Sequence, residues 1–274
     1  MSDNRLRNWG RYAVLGLLVV LAVAGLFYSE VTDRVVLEAA LQPPSPSHWM
    51  GTDELGRDIF ARALRGTSLS LILSLLAWAT ALIVGLILGT VAGYFASSPV
   101  DRVISWLIAL AYVTPLVIML VGLLSVIGPG LANAYIVLTL FAWVAPARQT
   151  RASVKNLRAA QHVVAARSFG FSSNRIFQFV IIPQIYKPVL IASLAILPEI
   201  IALDAGLSFF GLGAQPPIPT LGKMIVDGVG YLSVAWWMSL FPILILSIIC
   251  LGVRFLAELL STRAADDLSY HQPF

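Results

Sequence analysis

A single cysteine, Cys250, in a chain of 274 residues excludes a disulfide framework and any cysteine-built metal cluster. Histidine is nearly as scarce. His48, His162 and His271 fall on an outer loop, an inner loop and the tail, so they do not share one site. No His-Glu-x-x-His, Gly-x-Ser-x-Gly or closely spaced Cys/His set occurs, which removes the usual signatures of metal-assisted and nucleophilic hydrolysis. Gly222-Lys223 looks like the end of a phosphate-binding loop, but Ile218 stands five places before the lysine and Met224 follows it. Nucleotide binding by this chain is excluded on that pattern. Charge is short as well: 12% of residues are charged against 58% hydrophobic, far from the balance of a soluble globular domain.

What is abundant is apolar sequence in blocks long enough to cross a bilayer, at about 20 residues per helix. The chain reads as an all-α membrane protein with six transmembrane helices and both termini cytoplasmic. The first span covers 12–28, behind a short basic end with Arg5, Arg7 and Arg11 and with no Ala-x-Ala cleavage pattern after it. An external segment, 29–68, follows with six acids and four bases. Within it the spacing predicts a short interfacial helix over 53–65, capped by Thr52 and stopped by Gly66, with Leu55, Ile59 and Ala63 on one side. The second span covers 69–95, the third 103–127 with a kink at Thr114-Pro115, and the fourth 131–145. The fifth, 188–203, is interrupted by Pro198; a second external segment, 204–235, leads to a last span from Trp236 to about 255 and a polar inner tail. This divides the chain into an anchor and external segment (1–68), a five-helix core (69–260) and a cytoplasmic tail (261–274).

Residues 147–187 stand apart, because they hold seven of the eighteen basic residues and no acid: Arg148, Arg151, Lys155, Arg158, Arg167, Arg175 and Lys187. A bare charge in hydrocarbon costs a few kcal/mol, about 3 by insertion scales. The segment is therefore a loop, and the excess of Lys and Arg puts it inside the cell. The net charge of +4 sits beside membrane segments, which points to orientation and anionic lipid, not to nucleic acid. Val163 to Gly170 predicts a helix ended by glycine, and Ser172 caps a second short helix that sets Ile176 and Phe179 on one side. Such an apolar turn fits either a protein partner outside the bilayer or a helix lying in the headgroup layer.

Two further patterns concern the membrane itself. Ala81, Gly85, Gly89 and Gly93 recur every four residues, a face on which another backbone can approach closely, within this subunit or from another. Glu199, one residue past Pro198 in a membrane helix, is a functional candidate by depth, either on a central path facing a cationic group or hydrated near the outer interface. Asp204 and Ser208 are its companions as candidate path residues.

The loop 161–183, with Ala165, Ala166, Gly170, Arg175, Ile176 and Pro183, resembles the cytoplasmic signature of ABC importer permeases. Gly51-Thr52-Asp53-Glu54-Leu55-Gly56-Arg57-Asp58 and Leu207-Ser208-Phe209-Phe210-Gly211-Leu212-Gly213 are similar to motifs of the second permease subunit of dipeptide, oligopeptide and nickel importers. The resemblance implies a heterodimer with a second permease, two ATPase subunits that bind the ATP and magnesium, an extracytoplasmic substrate-binding protein, and a prokaryotic inner membrane. It also implies no enzymatic chemistry and no cofactor in this chain. Ala165, Ala166, Arg167, Ser168, Phe169, Gly170, Arg175, Ile176 and Phe177 would then form the element that couples to an ATPase. Three single positions and one short stretch depart from the pattern. Gln161 stands for a glutamate, Val180 for a histidine, Asp204 for a glutamate, and Ser261-Thr262-Arg263 for Asp-Pro-Arg. Peptide is the leading cargo; nickel or a metal chelate is the alternative within the class, and a secondary carrier or channel without ATPases the alternative outside it.

Overall fold

The computed structural model describes residues 16, 19–25 and 34–270. Most of the expected first span and the last four residues, His271 among them, lie outside these. Residues 19–25 are helical, and Gly25 faces the backbone of Leu64, where a Cβ would come within 2.2 Å of its carbonyl oxygen.

Regular structure among the described residues is helical. Helix α1, Ile59–Tyr94, is a single run of 36 residues. Its cap is Asp58, whose carboxylate accepts the amide of Ala61 at 2.9 Å. The separate interfacial helix over 53–65 is thus absent, and Gly66 stops nothing: it is buried in α1, where a Cβ would stand 3.3 Å from the backbone of Thr220 and Leu221. A glycine read as a terminator is here a point of close approach. Thr52 has another task, since its hydroxyl accepts from Gln42 N at 2.8 Å and donates to the Ala39 carbonyl. The boundary expected at 68/69 falls inside α1.

Helices α2 (Pro99–Val113) and α3 (Leu116–Ile127) meet at Thr114-Pro115 with a bend of 95°. The expected kink is a break, because Pro115 has no N–H to continue the ladder and its ring crowds the preceding turn. Helices α4 (Leu131–Ala142) and α5 (Val144–Arg158) form one 28-residue run, so the fourth span extends well past 145 and takes up the first half of the basic segment. Short helices α6 (Gln161–Ser168) and α7 (Ser173–Ile176) follow. A π-helical turn at Phe177–Ile181 then leads into α8 (Ile182–Ser193), a 3-10 turn and α9 (Leu197–Phe209). These make one 33-residue span, Phe177–Phe209, so the fifth helix starts eleven positions before 188 and places Asp204 and Ser208 in a helix, not in an external segment. Helix α10 is Leu221–Val229, capped by Thr220. Helix α11, Trp237–Tyr270, runs far beyond 255 and through the expected boundary at 260/261.

Four of these helical runs are long and apolar enough to cross a membrane, five if α2 and α3 count as one broken span. This is a multi-pass membrane protein. Helix α1 is its axis, packing against α5, α4, α9, α2 and α10. One core, around Ile59, Ile201, Leu221, Trp237 and Met238, joins α1, α9, α10 and α11. A second, around Leu120, Leu124, Val137, Ile200 and Leu207, joins α3, α4 and α9.

Candidate functional site

The seam between α1 and α5 fixes where the basic segment leaves the bundle. Ala81, Gly85, Gly89 and Gly93 are all buried, and the three glycines face α5 of the same chain. A Cβ on Gly85 would lie 2.7 Å from Pro146 Cβ, on Gly89 2.4 Å from the Ala147 carbonyl oxygen, and on Gly93 2.7 Å from the Arg151 carbonyl oxygen. No side chain fits there. At the lower end of this seam the arginines of α5 are consumed by the bundle. Arg151 forks onto Asp101, at 2.5 Å from Nε and 3.0 Å from Nη2, and Asp101 also takes the Ser97 amide at 2.9 Å and the Ser105 hydroxyl at 3.1 Å. Arg158 donates to the Tyr94 carbonyl and lies over the Tyr94 ring, which meets Phe177 edge-on with centroids 5.1 Å apart. Arg148 stands 4.8 Å over Tyr112.

Beyond that point most of the surface is exposed. Gly170, at φ +81°, ends α6, with Phe171 N donating to the Ala166 carbonyl at 3.2 Å. Ser172 caps α7 as its sequence predicts, accepting Arg175 N at 3.4 Å. Ala165, Arg167, Ser168, Phe169, Gly170 and Arg175 are exposed, Ala166 and Phe177 are half-buried, and Phe169 is 82% exposed. Arg167 and Arg175 form no ion pair among the described residues. Ile176 differs: it is 1% exposed and packs with Val154, Val163, Ile181 and Ile185. Ile176 and Phe179 therefore do not share a side, since Phe179 is 72% exposed. Ile176 anchors the element, and Phe169 projects from it.

The candidate path residues separate on α9. Glu199 is exposed on the wall of a cavity of about 380 Å³ lined by Tyr112, Thr114, Pro115, Phe141 and Ala145, among others. Asp204 is buried on the opposite side and accepts the Ser70 hydroxyl of α1 at 2.8 Å. Ser208 is buried too; its hydroxyl has no partner among the described residues, and Gly213 folds over it so tightly that a Cβ would come within 2.2 Å. The Leu207–Gly213 motif is thus the end of α9, turned by Gly211 at φ +75° and closed by Leu212 N on the Leu207 carbonyl at 2.9 Å.

The Gly51–Asp58 motif is likewise a built turn. Asp53 accepts Leu55 N and Arg57 N, both at 2.9 Å, and Arg57 Nε at 2.6 Å. Gly51 and Gly56 have φ of +76° and +71°, and Trp237 Nε1 donates to the Thr52 carbonyl at 3.2 Å, tying the turn to α11. The remaining histidines lie apart: His48 Nδ1 is 2.8 Å from Asp58, and His162 is 3.3 Å from Gln184 Nε2. Among the described residues no three His, Cys, Asp or Glu side chains group as a metal site. Two features escaped the sequence: the Asp101–Arg151 fork, for which Asp101 beside a basic segment was the available signal, and the cavity wall at Tyr112, which only the bend at Pro115 creates.

Residues 81–266 match the family described as the binding-protein-dependent transport system inner membrane component. The dipeptide transport system permease protein DppC of Bacillus subtilis is 34% identical over 251 residues, covering 90% of this chain and 78% of that protein. The oligopeptide transport system permease protein OppC of Mycobacterium bovis is 33% identical, covering 89% of this chain and 87% of its own length. The glutathione transport system permease protein GsiD of Pectobacterium atrosepticum is 30% identical, covering 89% and 82%. Among solved structures, the MetNI methionine ABC transporter in an inward-facing form superimposes with a TM-score of 0.60 at 19% identity, over 75% of this chain and 97% of that one. An amino acid ABC transporter crystallised with histidines gives 0.58 at 22%, over 74% and 94%. The last two speak for the fold alone. With a long axial helix, a two-helix projection bearing Phe169 and a sequence match over most of its length, the chain belongs to the family of inner membrane components of binding-protein-dependent transport systems.

Proposed function

We propose that this chain is one permease subunit of an ATP-driven peptide importer, forming the path together with a second permease. The observation that carries the reading is mechanical. Helix α7 runs without a break in helical structure into the span Phe177–Phe209, which also bears Glu199 on a cavity wall, and α6, joined to α7 by the turn that exposes Phe169, is packed onto it through Val163 and Ile176. Force applied at Phe169 is therefore delivered to the wall of the cavity. An apolar ring flanked by two unpaired arginines, Arg167 and Arg175, suits a groove edged with acids on an ATPase subunit. Ala165, Ala166, Ser168, Gly170 and Phe177 complete this contact, while Ile176 holds it to α5 and α8 from within.

In this reading the chain has six spans with both termini in the cytoplasm of a prokaryote. The basic segment faces inward. ATP and magnesium belong to two partner ATPases, and an extracytoplasmic binding protein delivers cargo to the side that carries the Gly51–Asp58 turn. The dipeptide, oligopeptide and glutathione cargoes in the relatives' names support a peptide over a metal chelate.

The test is reconstitution of the assembled complex into proteoliposomes with its binding protein. ATP inside or outside, according to orientation, is expected to drive uptake of labelled dialanine against a gradient. Uptake that follows an imposed ion gradient and ignores ATP would contradict the proposal.

A further inference from the structure

Glu199 is the one charged side chain on the wall of the cavity between α2, α3, α4, α5 and α9, and its carboxylate takes no hydrogen bond or ion pair among the described residues. It stands in the first turn of α9 without capping it. Arg148, the base nearest that wall by contact, is occupied on the Tyr112 ring, and Arg151 is held by Asp101. From Glu199 to Phe209, where the span ends, the helix rises about 15 Å at ~1.5 Å per residue. That is close to the middle of a hydrocarbon layer about 30 Å thick. An unpaired carboxylate at such depth calls for a cation.

The rest of the wall narrows what that cation is. Pro115 has no N–H, so the Ala111 carbonyl, also on the wall, loses its helical donor. A carboxylate and a freed carbonyl in one apolar cavity are acceptors for a group that carries several N–H donors. The volume, about 380 Å³, lies in the range of roughly 300–1,000 Å³ typical of small-ligand sites. A single carboxylate is too few ligands for a bare divalent metal.

We propose that Glu199 receives the α-ammonium group of a short peptide in transit, with the Ala111 carbonyl accepting a second of its protons, and that it discriminates against peptides whose amino end is blocked. This rests on the peptide-importer reading. The apolar remainder, Phe141, Ala145, Ile196 and Leu203, then meets side chains of any kind, so the site selects the common end of the cargo and not its sequence. Asp204 takes no part, being turned to Ser70 on the other side of α9.

The experiment measures binding of dialanine and of N-acetyl-dialanine to the assembled permease–ATPase complex in nanodiscs, without binding protein, alongside ATP-driven dialanine uptake in proteoliposomes. The wild-type complex is expected to bind dialanine about tenfold tighter than the blocked peptide, as a charge-assisted hydrogen bond supports. E199Q is expected to level the two, and E199D to keep a reduced preference. A wild-type preference unchanged in E199Q overturns the assignment. So does equal weakening of both peptides, or loss of assembly in E199Q with no preference in E199D; either result gives the carboxylate to subunit packing. Where wild-type uptake of dialanine is ATP-driven and E199Q binds like wild type, only this assignment falls. Where wild type carries no dialanine, the peptide reading falls and takes it along.

Discussion

Two regions of this chain solve opposite packing problems with neighbouring residues. At the seam of α1 and α5, Gly85, Gly89 and Gly93 bring backbones together until no side chain can be added. Past the end of that seam, α6 and α7 turn Phe169, Phe171 and two arginines outward with nothing over them among the described residues. Membrane helices gain little from hiding apolar surface from lipid, so their association depends on close contact, and small residues supply it. Outside the bilayer the same exposed ring is costly unless another protein covers it. The contrast separates a seam that the chain closes by itself from a surface that, in the proposed function, an ATPase subunit covers.

The sharpest way to break the comparison is to fill the seam. G89L would drive a branched side chain into the Ala147 carbonyl, which cannot retreat without moving α5; overpacking costs typically about 1–3 kcal/mol and backbone clash exceeds that. Loss of folded complex is expected on size-exclusion chromatography, against near-normal yield for L88I on the half-buried side. Equal yields would show that the seam opens freely. Next in size is I176D, which puts a charge among Val154, Val163 and Ile181 at a cost on the order of 3–5 kcal/mol. Proteolysis of purified protein between 160 and 182 is expected to accelerate; an unchanged digestion pattern would mean that the anchor is dispensable. A smaller effect follows from D101N, which leaves Arg151 with a neutral partner and removes about 2 kcal/mol of charge-assisted hydrogen bonding. A drop in thermal midpoint should appear in D101N and not grow further in D101N/R151Q. The smallest stability change belongs to F169D, within about 0.5 kcal/mol, since the ring touches little of its own chain.

How far these regions were legible in sequence differs in the same way. Spacing in a single helix gave the glycine face at once, and Gly170 and Ser172 announced the ends of α6 and α7 because local backbone rules decide them. Helix length was misjudged wherever composition changed without a change of backbone. The charges of α5 looked like a loop, yet Arg151 and Arg158 are satisfied by Asp101 and Tyr94 and the helix continues. Gly66 looked like a stop because its contact, the Thr220–Leu221 backbone, lies far along the chain. Ile176 and Phe179 were paired by helical spacing, and the π-helical turn at Phe177–Ile181 shifts that register. Glu199 was singled out by depth, but its separation from Asp204 and Ser208 depends on which side of α9 meets α1.

The most direct test of the central claim compares F169D with wild type in the same membrane. The account predicts wild-type insertion and thermal stability, together with loss of the ATPase from the purified complex and of transport-linked ATP hydrolysis. Full co-purification with unaltered hydrolysis in F169D would contradict it, because the exposed joint of α6 and α7 would then not be where the motor takes hold.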